Sequence, residues 1–189
     1  GTSTITVNAT VTANVPPTGG GFLAGGIGGA NAVEVDKSGQ GAVQLFLGEA
    51  GVLQGLSGDG AEIVSRNTNG TILVQGTGPG QTGKVTGSAY GRFLQAIESG
   101  ITVENLESVI GLNNDGINAQ SNYGAIRIAN IGNVGSEDDT AILVYSGGGY
   151  VSIQNVSVEA FYSTKSLRDV DSRTGISVNA DEGSINLGA

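Results

Sequence analysis

The stretch Gly124-Ala125-Ile126-Arg127-Ile128-Ala129-Asn130-Ile131 returns twenty-five residues later as Gly149-Tyr150-Val151-Ser152-Ile153-Gln154-Asn155-Val156, and its apolar and Asn positions occur twenty-five residues earlier as Ile101-x-Val103-x-Asn105-Leu106. Three copies in one register, each with apolar residues two apart, describe short strands and not helices. Outside this core the same motif, a glycine, a spacer and an aliphatic pair, recurs as Gly41-Ala-Val43-Gln-Leu45, Gly70-Thr-Ile72-Leu-Val74 and Gly183-Ser-Ile185-Asn-Leu187. Pairs starting at 43, 72, 101, 126, 151 and 185 repeat with a period of 25 to 34 residues, the mark of stacked structural repeats.

A second apolar run lies nine to eleven residues before each pair: Val33-Glu-Val35, Ala61-Glu-Ile63, Ile117-Asn-Ala119, Ile142-Leu-Val144 and Ile176-Ser-Val178, with Arg92-Phe93-Leu94 standing in the irregular third repeat. A strand, a glycine-containing turn, a second strand and a longer return, with no helical segment, form one coil of a parallel β-helix. The expected fold is therefore all-β, a solenoid of about six coils with an N-terminal strand extension. A β-sandwich is the alternative, since it also has short strands and frequent turns. It offers no reason for a constant offset and a near-constant period.

Composition agrees with a thin core. Thirty-four glycines, 5% aromatic residues and no tryptophan leave few large side chains, and a solenoid needs only Val, Ile, Leu and Ala stacked on its neighbours. The chain has no cysteine, methionine or histidine, which excludes disulfides, thiolate or imidazole metal sites and the usual histidine-based nucleophile arrangements. A net charge of −9 argues against nucleic acid as a partner, because phosphate binding needs clustered Lys and Arg. No apolar run reaches the length of a membrane span, and no cofactor is expected.

The three asparagines share the parity of the buried pair, so Asn105, Asn130 and Asn155 are expected to point inward at a turn and to pair with one another as amides. This arrangement resembles the asparagine ladder of right-handed parallel β-helix proteins such as the pectate-lyase-like group, and right-handedness is what that resemblance implies. The same region resembles the repeats of polygalacturonase-type glycosidases, through Asn113-Asn114-Asp115-Gly116 and Glu137-Asp138-Asp139. That resemblance implies Asp115, Asp138 and Asp139 as candidate general acid and base groups on neighbouring coils. The family's third element, a Gly-His-Gly turn, is replaced by Arg173-Thr174-Gly175, and Asp139 stands one residue further from its strand than the family pattern has it. Non-enzymatic is the expected reading. The acidic spacing fits no calcium loop.

At the N-terminus Ile5, Val7, Ala9, Val11, Ala13 and Val15 alternate with polar residues, which predicts one long strand ended by Pro16-Pro17. The domain reading is a strand over 1–17, a glycine-rich hinge over 18–30 and a solenoid over 31–189. Such a strand can cap its own solenoid or add to the edge of a neighbour, and at the level of pattern it resembles the donor strand of pilins. At the other end Ile185 and Leu187 form the last inward positions of an open coil without a visible cap. The repeats also resemble filamentous haemagglutinin, which leaves open that the chain is a piece of a longer fibrous adhesin. The expected function is a structural subunit of a self-assembling extracellular or cell-surface filament, with copies of itself as partners. The alternative is a carbohydrate-binding or carbohydrate-cleaving β-helix with glycans or a cell surface as partner.

Overall fold

A computed structural model describes residues 1–13, 31–38, 40–66, 70–88, 91–137, 139–160, 176–181 and 183–188. Among these residues it holds sixteen strands and no helix, and the strands form two parallel sheets. The six-stranded sheet contains β3 (Val33–Lys37), β6 (Ala61–Ser65), β9 (Arg92–Ala96), β11 (Ile117–Ser121), β13 (Ile142–Ser146) and β15 (Ile176–Ala180), in that spatial order. The main path of the ten-stranded sheet runs through β1 (Ser3–Val7), β4 (Val43–Leu47), β7 (Ile72–Gly76), β10 (Ile101–Gly111), β12 (Ile126–Ser136), β14 (Val151–Ala160) and β16 (Ile185–Gly188). A side branch of β2 (Thr10–Ala13), β5 (Val52–Gly55) and β8 (Lys84–Gly87) joins that path at β10.

The register follows the repeat read in the sequence. Val43, Ile72, Ile101, Ile126, Val151 and Ile185 are successive Cα partners along the large sheet. Val33, Ala61, Arg92, Ile117, Ile142 and Ile176 are successive partners along the small one. Aliphatic residues stack on aliphatic residues at each step, and Val43, Leu45, Val74, Val103, Ile126, Ile128, Ile117 and Val144 are fully buried. Each such side chain contributes about 1.5–3 kcal/mol when removed from water.

Two features were not anticipated. The long return contains a further strand position, occupied by β2, β5, β8 and the second half of β10, whose residues Ser108 to Gly111 pair with Lys84 to Gly87. The N-terminal segment is also two strands and not one. β1 pairs with β4 and β2 with β5, all within the chain, so the segment is the first layer of the large sheet. Its alternation does not set one buried face: Val7 is buried and Ile5 half-buried, whereas Ala9 and Val11 are exposed. Val15 and the hinge over 18–30 lie outside the described residues.

Small hydroxyls set the turn before two of the glycine motifs. Ser121 Oγ accepts the Gly124 N–H at 2.8 Å and donates to the Ser99 carbonyl at 2.9 Å. In the next repeat Ser146 Oγ accepts the Gly149 N–H at 3.0 Å. The serines are buried, so these bonds satisfy groups that water does not reach and fix the three-residue step from strand end to glycine.

Candidate functional site

The asparagine ladder forms, with a geometry that the parity rule does not give. Asn130 Nδ2 donates to Asn105 Oδ1 at 3.1 Å, and Asn155 Nδ2 donates to Asn130 Oδ1 at 2.9 Å. All three residues are left-handed, with φ of 58°, 53° and 52°. Asn tolerates this conformation better than most residues with a Cβ, which accounts for the residue type at the bend. A left-handed residue breaks the two-residue alternation, so Leu106, Ile131 and Val156, one position on, take up the shared register. The expected inward placement is thereby corrected: Asn105 and Asn130 are half-buried and Asn155 is exposed, which puts the ladder at the margin of the core.

The carboxylate turn is asymmetric. Asp115 is 3% exposed, and its Oδ2 accepts from Asn118 Nδ2 at 2.8 Å while its buried Oδ1 has no partner. Burial pushes its carboxyl up to about 6, the Asn118 hydrogen bond opposes that rise, and the nearby negative charge of Asp139 adds to it. Asp139 is exposed, and its Oδ1 accepts the Thr140 N–H at 2.8 Å, a local turn bond. Asp138 and the turn at Arg173-Thr174-Gly175 lie outside the described residues. Among the described residues, no group of three His, Cys, Asp or Glu side chains could hold a metal ion, and no helix is long and apolar enough to cross a membrane.

The sheet edge at β16 differs from the interior of the stack. Ile185 is 47% and Leu187 57% exposed, whereas Val151 and Ile153, their partners on β14, are 0% and 3% exposed. An edge strand carries unpaired backbone groups, and here it also carries uncovered inward-type side chains. At the opposite edge Ile5 is half-buried and Val11 exposed.

Spacing placed Arg92 in an inward run, but the burial of its charged group was not foreseen. Arg92 occupies the position of Ala61 and Ile117 and is fully buried, and none of its three guanidinium nitrogens has a hydrogen-bond partner. Desolvation pulls its pKa down to about 9. Its alignment with aliphatic residues was the available signal. No family model matches the chain, and no curated protein or solved structure matches it either.

Proposed function

We propose that this chain is a non-enzymatic structural subunit, a parallel β-helix that assembles into an extracellular or surface filament by strand addition at its ends. Support for the helical winding comes from the order in which the chain visits its strands, returning again and again from the large parallel sheet to the small one. Support for assembly rests on one observation, the exposed apolar edge of β16. A second copy that added a strand there would bury Ile185 and Leu187 and pair the free backbone groups together. Such a heterologous contact extends without limit when its rotation does not close. The surface location rests on the fibrous-adhesin and pilin resemblances.

The N-terminal strands enter this reading in a changed role. Because β1 and β2 pair with β4 and β5 of their own chain, they offer an acceptor edge and not a free donor arm. The carbohydrate-cleaving alternative has weaker support, since Asp115 is closed to solvent and hydrogen-bonded inward while Asp139 faces out.

Negative-stain microscopy and light scattering of the purified chain test the proposal. Filaments or concentration-dependent oligomers are expected, and Ile185→Lys with Leu187→Lys should leave folded monomers, because both side chains are already exposed. A wild-type chain that stays monomeric at high concentration overturns it.

A further inference from the structure

The turns that follow β9, β11, β13 and β15 stack through their backbones. The Asn122 N–H donates to the Ile97 carbonyl at 3.2 Å, the Gly147 N–H to Ser121 at 3.0 Å, and the Asp181 N–H to Ser146 at 3.0 Å. Asn122, Gly147 and Asp181 thus occupy one position on three successive layers. With neighbouring strands about 4.8 Å apart, the outer two stand roughly 9.6 Å from each other, with a glycine between them. That glycine is required: a Cβ on Gly147 would lie 2.3 Å from the Asn122 carbonyl oxygen. The result is a cleft of about 280 Å³ lined by Asn122, Tyr123, Tyr145, Gly147 and Asp181.

Its chemistry is one-sided. Tyr123 is 67% exposed and Tyr145 37%, so both rings reach solvent. The Tyr145 hydroxyl donates to Asp181 Oδ2 at 2.9 Å, which fixes ring and carboxylate together, and the other Asp181 oxygen takes no hydrogen bond among the described residues. Among the described residues no Lys or Arg lines the cleft, and the chain carries a net charge of −9. Phenol ring faces and a carboxylate both attract positive charge, and a carboxylate with its second oxygen open repels anions. An apolar ligand would leave Asp181 unused.

We propose that this cleft binds a small alkylammonium ion, with Tyr123 and Tyr145 providing ring faces and Asp181 the counter-charge. The cleft uses neither Ile185 nor Leu187 of the β16 edge, so its test is read on the unassembled chain. Exposed cation–aromatic contacts are individually weak, and a dissociation constant on the order of 1–10 mM is expected.

Titration of the ¹⁵N-labelled full chain with choline, followed at the Asn122, Gly147 and Asp181 amides, tests this. The control ligand is 3,3-dimethylbutan-1-ol, which has choline's shape without its charge. Choline is expected to shift those amides, the alcohol to bind at least about tenfold more weakly, and Asp181→Asn and Tyr123→Leu each to weaken choline about tenfold. Tyr150→Leu, an exposed tyrosine outside the cleft, should leave binding unchanged. No shift below 50 mM choline on the order used for such weak sites, equal binding of the alcohol, or binding indifferent to Asp181→Asn and Tyr123→Leu overturns the proposal. Unchanged amide spectra away from the cleft show that the variants remain folded.

Discussion

The stretch from β4 to β9 and the stretch from β10 to β14 carry the same inward residues in the same register, yet they turn the same bend of the large sheet by different means. In the earlier stretch the bend is a loop, over 48–51 between β4 and β5 and over 77–83 between β7 and β8. In the later one a single left-handed asparagine does the work, so β10 and β12 each run unbroken for eleven residues. The loop over 77–83 lengthens its repeat: twelve positions lead from Ile72 to Lys84, the Cα partner of Ser108, and seven from Ile101 to Ser108, and the periods are twenty-nine from Ile72 to Ile101 and twenty-five from Ile101 to Ile126. In these two repeats the period reports how the corner is made, whereas thirty-four positions separate Val151 from Ile185 although Asn155 makes that corner too.

Gly76 is where the two solutions meet, because it occupies the ladder position just before Asn105. A Cβ there would lie 1.9 Å from the Asn105 carbonyl oxygen and 2.5 Å from that of Thr82, and neither backbone group has a flexible end that can yield. Gly76→Ala should lower stability by at least about 3 kcal/mol in urea unfolding. Gly80→Ala, in the same loop with nothing within 4 Å but a φ of 93°, should lose only about 1–2 kcal/mol. Equal effects would mean that the two corners are not in contact.

On the other side of the comparison, Asn130 makes two ladder bonds and Asn155 makes one. Asn130→Ala should cost about 2–3 kcal/mol, from two hydrogen bonds and a left-handed residue with a less tolerant side chain. Asn130→Gly keeps the backbone and should cost about half as much, and Asn155→Ala about 1 kcal/mol, all measurable by the same unfolding midpoints. If Asn130→Gly is neutral, the ladder is a conformational device alone.

A pH-dependent effect concerns a turn that both regions share, in which Gly55 faces the Asp59 carbonyl as Gly111 faces that of Asp115. Burial raises the Asp115 carboxyl to about 6, so the fold favours its protonated form. Its stabilising contribution is complete below about pH 4 and lost as pH rises through about 6, a change of about 2 kcal/mol. Asp115→Asn should remove that fall, visible as the difference between the two proteins' stability–pH curves. Parallel curves would place Asp115 in contact with water.

The inward positions were legible because a two-residue period with Val, Ile and Leu at fixed intervals leaves few alternatives; even Arg92, out of character for its position, was placed by spacing. Val52 to Gly55 and Lys84 to Gly87 were not, because the first run holds only two apolar side chains and the second only one, and Lys84 pairs through its backbone. The N-terminal alternation suggested one strand because Asn8 and Ala9 fit a polar–apolar pattern, but the break there follows β4 and β5, which leave a gap between Leu47 and Val52 that β1 and β2 must match. Asparagines were found by their period, and their left-handed backbone was invisible to parity. The cleft at Tyr123 and Asp181 joins residues from three layers, and no local pattern announces such a meeting.

Among the described residues every strand pair is parallel, and none joins residues closer than Lys84 and Ser108, which are twenty-four positions apart. Among the described strands no hairpin offers a cheap first contact, so each of these pairings must close a long loop before any apolar surface is gained. Folding of such a chain is slow for its size, and its rate should be governed by the shortest loops, those of the twenty-five-residue repeats. The corners at Asn105 and Asn130, which lie in those twenty-five-residue repeats, thereby also shorten the search.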